Sequence, residues 1–256
     1  MTHTPKLIPV GVSNRHIHIS QNDLEVLFGA GHRLEVLRAI SQKGQYAARE
    51  RVDVVGPKGK IQNVRLVGPT REQTQIEISR TDAFRLGFDP PVRYSSDLTG
   101  TPAVTLVGPD GELRLSAGVI IPQRHIHMSP REAADFGVKD RERVFVAPLE
   151  MSQLNSGSEP RSIIFGNVLI RVDPTFVLDF HVDLDEANAA GLQTGDHVYI
   201  IKKAPKARAG SNKRLITEND VRQAMLSRRK IRLVPGMIVT PAARDLGRAH
   251  DVFDED

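Results

Sequence analysis

Four of the nine histidines fall in two runs of one form, Arg15-His16-Ile17-His18 and Arg124-His125-Ile126-His127. On an extended strand residues i and i+2 share a face, so each pair of imidazoles can converge on one metal ion while the isoleucine between them turns to the opposite, apolar layer. A single His-x-His is more often a pair of surface or core histidines. Here the motif recurs inside longer matching segments, Ser13-Asn14-Arg15-His16-Ile17-His18-Ile19-Ser20 and Pro122-Gln123-Arg124-His125-Ile126-His127-Met128-Ser129, 109 residues apart, which favours a duplicated metal site.

Two histidines leave a metal short of the three protein ligands that nitrogen and oxygen sites normally use. A second repeat, 104 residues apart, supplies the third: Glu77 through Gly87 aligns with His181 through Gly191, placing His181 where the first copy has Glu77. Taken alone, Glu77 reads as an ordinary strand carboxylate; its pairing with His181 raises it. The candidate sets are His16, His18 and Glu77 for one metal and His125, His127 and His181 for the other, a two-metal enzyme with open positions for exogenous ligands. Arg71 follows the turn Gly68-Pro69-Thr70 and precedes Glu77 by six residues, an even spacing that would put both on one face of a regular strand. Its guanidinium suits a phosphate or carboxylate. With no cysteine, the chain has no disulfide, no thiolate ligand and no cysteine nucleophile.

The elements that must hold these residues repeat as well. Each half reads as a His-x-His strand, a capped short helix, several strands and a strand-to-helix turn closing on glycine. Ser129-Pro130-Arg131-Glu132 combines an N-cap, proline at the first helical position and a capping-box glutamate; Ser20 to Asp23 is a looser version. Pro57-Lys58-Gly59 and Pro109-Asp110-Gly111 are turn signals between strands. The expected fold is mainly β with short helices: two related β-barrel domains, residues 7–117 and 118–202, from an internal duplication. A linker, 203–214, and a small C-terminal α/β module, 215–256, follow, with Thr217 and Thr240-Pro241 opening the module's helices.

Bulk properties narrow the field. The hydrophobic fraction, 39%, suffices for packed cores, no run approaches the roughly 18 apolar residues of a membrane span, and the N-terminus lacks the apolar stretch of a secretory signal, so a cytoplasmic protein is expected. The net charge of +4 belongs to residues 201–256, with 13 Lys/Arg against 7 Asp/Glu. Without tryptophan or aromatics among those basic residues, a nucleic-acid partner is disfavoured.

The motifs Ser13-Asn14-Arg15-His16-Ile17-His18, Gly68-Pro69-Thr70-Arg71, Gln75-Ile76-Glu77-Ile78-Ser79-Arg80-Thr81-Asp82-Ala83, Gln123-Arg124-His125-Ile126-His127 and His181 with Asp185-Glu186-Ala187-Asn188-Ala189 resemble the PduL-type phosphotransacylases, or phosphate propanoyltransferases, over residues 7–202. The resemblance implies two β-barrel domains meeting at a di-metal site, two divalent ions per chain with zinc expected, and the reaction of acyl-CoA with phosphate to acyl phosphate and CoA. It implies that His16, His18 and Glu77 hold the metal facing the CoA sulfur, that His125, His127 and His181 hold the other, and that Arg71 engages phosphate with Ser13 close by. A homodimer is expected. Leu215-Ile216-Thr217-Glu218-Asn219-Asp220-Val221 and Ile238-Val239-Thr240-Pro241-Ala242-Ala243-Arg244-Asp245-Leu246 resemble modules of bacterial microcompartment enzymes, implying shell or cargo partners and a microcompartment lumen. The rival readings are a di-zinc hydrolase of thioesters or phosphoesters and a non-catalytic microcompartment scaffold.

Overall fold

The computed structural model describes residues 5–149, 163–203, 215–227, 229–233 and 237–254. The chain forms two compact units, Met1–Ala204 and Pro205–Asp256. In chain order the first contains β1 (Ile8–Ser13), β2 (His16–His18), α1 (Gln21–Phe28), β3 (Val36–Ala39), β4 (Tyr46–Val55), β5 (Lys60–Gly68), β6 (Gln75–Glu77), α2 (Arg80–Leu86), β7 (Val92–Arg93), β8 (Val104–Val107) and β9 (Glu112–Leu115). It continues with β10 (Val119–Pro122), β11 (His125–Met128), α3 (Pro130–Phe136), β12 (Arg143–Pro148), β13 (Phe165–Val172), β14 (Asp179–Asp183), α4 (Leu184–Ala190) and β15 (His197–Lys203).

These strands make two sheets, as the mainly β, two-barrel expectation requires. One is a closed barrel in the order β1-β14-β11-β13-β12-β15, with β15 returning to β1. The other is a curled nine-stranded sheet, β7-β10-β6-β2-β5-β4-β8-β9 with β3 added on β4. The sheets do not divide at residue 118. The first strand of each half crosses to the other half's sheet: β1 joins the barrel through β14, and β10 joins the curled sheet through β6. Each sheet then closes over its own apolar core. Ile126, Ile170 and Phe180 fill the barrel, and Ile17, Leu66 and Ile76 fill the curled sheet, all fully buried. The isoleucine inside each His-x-His is thus a core residue, and its burial turns the flanking imidazoles to the opposite face.

Local signals end the elements where they should. Ser20, Ser79, Ser129 and Asp183 each accept a hydrogen bond at a helix N-terminus, and Ser129 and Glu132 complete the capping box. Gly87 and Gly191, on which the second repeat closes, end their helices in the left-handed conformation (φ 83° and 65°) that glycine adopts without steric cost. The Pro57-Lys58-Gly59 and Pro109-Asp110-Gly111 turns join β4 to β5 and β8 to β9, and each satisfies a helix-terminal carbonyl. Lys58 N–H donates to Leu86 O at 3.0 Å and Asp110 N–H to Leu27 O at 3.1 Å.

The second unit is a small α/β module. It comprises β16 (Leu215–Ile216), α5 (Glu218–Leu226), β17 (Ile231–Arg232), β18 (Ile238–Val239), α6 (Pro241–Ala249) and β19 (Phe253–Asp254), with β16 parallel to β18 and β17 parallel to β19. Ile216, Val221, Ala243 and Phe253 belong to its own core. The expected linker reaches back to Lys203, which closes β15; residues 204–214 lie outside the described residues. No helix among the described residues is long and apolar enough to cross a membrane.

Candidate metal centres

The duplication holds at the level of strand register. In the antiparallel pair β2–β6, His16 faces Glu77 and His18 faces Gln75; in β11–β14, His125 faces His181 and His127 faces Asp179. The exchanged strands flank the third donor equivalently, Ile120 beside Glu77 and Gly11 beside His181. Both expected triads are brought together: the donor atoms of His16, His18 and Glu77, and those of His125, His127 and His181, lie within 4.8 Å of one another in each set. In the first, Glu77 oxygens are 3.6 Å from His16 Nε2 and 3.9 Å from His18 Nε2. In the second, the three ring centroids are 4.5–5.1 Å apart.

The first histidine of each run is oriented by backbone. His16 Nδ1 faces Asn14 O at 2.9 Å and His125 Nδ1 faces Gln123 O at 2.8 Å. A carbonyl only accepts, so Nδ1 carries the proton in both and Nε2 presents a lone pair. His125 Nε2 is buried with no hydrogen-bond partner, as are His18 Nδ1 and His127 Nδ1. His16 Nε2 and His18 Nε2 stand 3.2 Å apart. Protonation is not an easy escape: burial first, then neighbouring positive charge, pushes His18 down to about 2 and His125 to about 3, and lowers His127 as well. Neutral imidazoles, with the two Nε2 atoms of the first triad converging beside Glu77 and His125 Nε2 of the second left unpartnered, fit a divalent cation bound by nitrogen and oxygen donors.

Positioning groups repeat too. Arg15 Nε binds Asp82 at 2.8 Å and Arg124 binds Glu186 at 2.9 Å. Asp82 and Glu186 hold the same place in the first turn of α2 and α4, so each motif arginine ties its histidine strand to the helix that follows the third donor. Glu186, mainly through burial and against the pull of Arg124, is raised to about 7. Two residues before each third donor stands a second polar group: Gln75 Nε2 donates to Glu77 Oε1 at 2.6 Å, and Asp179 Oδ2 accepts from His181 Nε2 at 2.9 Å, leaving Nδ1 as the free nitrogen of His181.

Arg71 reaches this region by a route that differs from the expectation of one regular strand shared with Glu77. The strand begins only at Gln75, and Arg71 instead forms an isolated parallel bridge with Ser20, its N–H donating to Ile19 O at 2.9 Å. Its guanidinium donates to Ser95 Oγ at 2.9 Å, and Ser95 Oγ donates to Glu77 Oε1 at 3.2 Å. Arg71 also lines a cleft of about 280 Å³ with Lys43, Gly44, Gln45, Gly68 and Pro69. Ser13, at the end of β1, lies 3.4 Å from His16 Nδ1 through its Oγ. The two halves are clamped nearby: Gln42 exchanges two hydrogen bonds with the backbone of Val177, and Thr81 N–H donates to Asp185 at 2.7 Å. Gln75 and Asp179 could have been found by the same period-2 reasoning that found the ligands. Ser95 could not, because its approach to Arg71 and Glu77 depends on the path of a loop.

Residues 9–193 match the family model described as phosphate propanoyltransferase. Among curated proteins, a phosphate propanoyltransferase of Thermotoga maritima is 57% identical over 195 residues, covering 76% of this chain and 89% of that protein. One from Salmonella typhimurium is 52% identical over 184 residues, 72% and 83% of the two chains, and one from Rhodobacter capsulatus is 46% identical over 198 residues, 77% and 88%.

Proposed function

The chain belongs to the phosphate propanoyltransferase family, and from that premise we propose that it transfers a short acyl group from coenzyme A to phosphate at a two-metal centre, reversibly. Membership supports a phosphate acyltransferase; the thioester donor, the two metals and the residue roles are our reading. The observation that carries it is the pair of triads in equivalent register, with the donor atoms of each set within 4.8 Å of one another.

His16, His18 and Glu77 would hold one divalent ion and His125, His127 and His181 the other, three donors each. Bound there, such an ion supplies Lewis-acid charge to phosphate oxygens or to a departing thiolate, and zinc is the ion that suits both sulfur and imidazole. The chain's own groups do the rest. Arg71 orients phosphate with its guanidinium fork, and Ser95 links that arginine to Glu77, so the anion site and the carboxylate are fixed as one unit. Ser13 borders the substrate beside His16. With no cysteine in the chain, a cysteinyl acyl-enzyme is excluded and direct attack is the simplest route. A phosphate oxygen bonds to the thioester carbonyl carbon, the carbon–sulfur bond breaks, sulfur leaves with the electron pair, and the proton released by phosphate ends on the CoA thiol. The triad with Glu77 is assigned to the sulfur and the three-histidine triad to phosphate, the two differing in charge.

Propanoyl-CoA with phosphate should yield thiol and acyl phosphate in equal amounts, the latter trapped as a hydroxamate. Thiol release to free carboxylate without phosphate would replace this reading by thioester hydrolysis, and absence of any turnover would leave a scaffold. Elemental analysis of active protein should find two divalent ions per chain, and His16→Ala and His125→Ala should each abolish turnover.

A further inference from the structure

Arg171 lies on β13, in register with His127 on the parallel neighbour β11, so the two side chains share a face. Its guanidinium stands 5.4 Å from the centroid of the Phe176 ring, and that ring packs against His127 at 4.2 Å. Among the described residues no carboxylate comes within salt-bridge distance of Arg171 and no hydrogen bond occupies its five N–H donors; Glu77, Asp140 and Asp173 act on it only at longer range. A half-buried guanidinium on an aromatic face, with its N–H donors unused, regains through the ring only part of the hydration it has lost. An anion on those donors would supply the rest.

Arg71 is in the same condition. It has one hydrogen bond, to Ser95, no ion pair among the described residues, and feels the charges of both Glu77 and Arg171. Arg71 also acts on His18, and Arg171 on His125 and His127, so the two guanidinium groups reach the region of the two triads from opposite halves of the duplication. The scaffold does not require Arg171. By the register that sets His16 beside Arg65 and His125 beside Leu169, its counterpart in the first half is Val67. The first half carries its arginine on that strand one pair earlier, Arg65, whose guanidinium donates to the Ala48 carbonyl, so a guanidinium with its donors unused at this register marks a difference in ligand between the triads.

Building on the acyl-transfer reading, we propose that Arg171 is a second phosphate-binding arginine, which with Arg71 grips the phosphoryl oxygens of phosphate and acyl phosphate beside His127. Two forks from opposite sides fix both position and orientation of the nucleophile.

The test is steady-state kinetics on the full-length, metal-loaded protein with propanoyl-CoA and inorganic phosphate. In Arg171→Gln the KM for phosphate should rise about tenfold or more, the loss of a charge-assisted bond, while the KM for propanoyl-CoA and the metal content stay as in the parent protein. Arg171→Lys, which keeps the charge and loses the fork, should fall between them and serves if the glutamine variant does not fold. Stabilisation of the protein by phosphate in thermal melts, read without turnover, should shrink in the same order. An unchanged phosphate KM, a rise in the propanoyl-CoA KM instead, or loss of metal as the sole change would each overturn the assignment of Arg171 while the parent protein still makes acyl phosphate. Failure of the parent protein to use phosphate would overturn the acyl-transfer reading itself.

Discussion

At the scale of single residues, the imidazoles set the pH behaviour of the metal-free protein. An unfolded histidine titrates near 6.5, whereas in the fold burial holds His18 near 2, His125 near 3 and His127 below its ordinary value. Between those limits the unfolded chain binds protons that the fold refuses. Their contribution to stability is therefore complete above about pH 6.5 and lost as pH falls below it, by about 1.4 kcal/mol per pH unit for each histidine. Glu186 opposes this, because its raised value near 7 lets the fold bind a proton that the unfolded chain releases until about 4.5. One group against three leaves a net loss. Urea midpoints of metal-free protein should fall between pH 6.5 and 5; a flat or rising midpoint there would contradict the neutral, converging histidines. Gln75 gives a second residue-scale expectation: Gln75→Leu removes the donor to Glu77 Oε1 and leaves Ser96 N–H without its acceptor, so metal affinity at that triad should weaken about 10–100-fold, measured by competition with a chelator, while the other triad keeps its ion. Both triads were legible in the sequence because ligand chemistry and period 2 are local properties repeated twice. Arg171 was not, since nothing in its neighbourhood tells which strand lies alongside.

At the scale of elements, caps and turns do more than end strands. The Gly-Pro-x-Gly turns at 56–59 and 108–111 each press a glycine against the last turn of a helix: a β-carbon on Gly108 would stand 2.4 Å from Leu27 O, and one on Gly56 2.3 Å from Leu86 O. Backbone oxygen cannot yield as a flexible side chain can. Gly108→Ala should cost about 1–3 kcal/mol in urea unfolding, with turnover per folded molecule retained because the turn touches no triad residue; a cost below about 0.5 kcal/mol would show that α1 moves freely. These turns, and the caps at Ser129 and Thr240, were readable from sequence because each is specified within four residues. The exchange of β1 and β10 between sheets was not. Alternation in Ile8–Ser13 says which face is apolar but not which core receives it, and the continuous apolar run Val119-Ile120-Ile121 says neither, so a cut at residue 118 follows the repeat while the strands follow their partners.

At the scale of the whole molecule, the duplication and the strand exchange together make the first unit hard to divide, whereas the second has a core of its own. Every residue assigned to the chemistry lies between Ser13 and His181, within Met1–Ala204. The second unit has its own core around Val221 and Phe253, its own parallel strand pairs, and a helix start where Thr217 N–H donates to Asp220 at 2.8 Å. The family match ends at residue 193, before it begins. A chain ending at Ala204 should therefore bind two metal ions, and turn over propanoyl-CoA within about twofold of the full chain, a change worth about 0.4 kcal/mol. A chain ending at Gly118 should not fold, because the curled sheet would lose β10, which joins β7 to β6, and β1 would have neither β14 nor β15 to pair with. Circular dichroism melts of the two truncations decide the matter. Cooperative unfolding of the shorter chain would mean that the exchanged strands are dispensable, and loss of turnover in the longer one would bring the second unit into the chemistry.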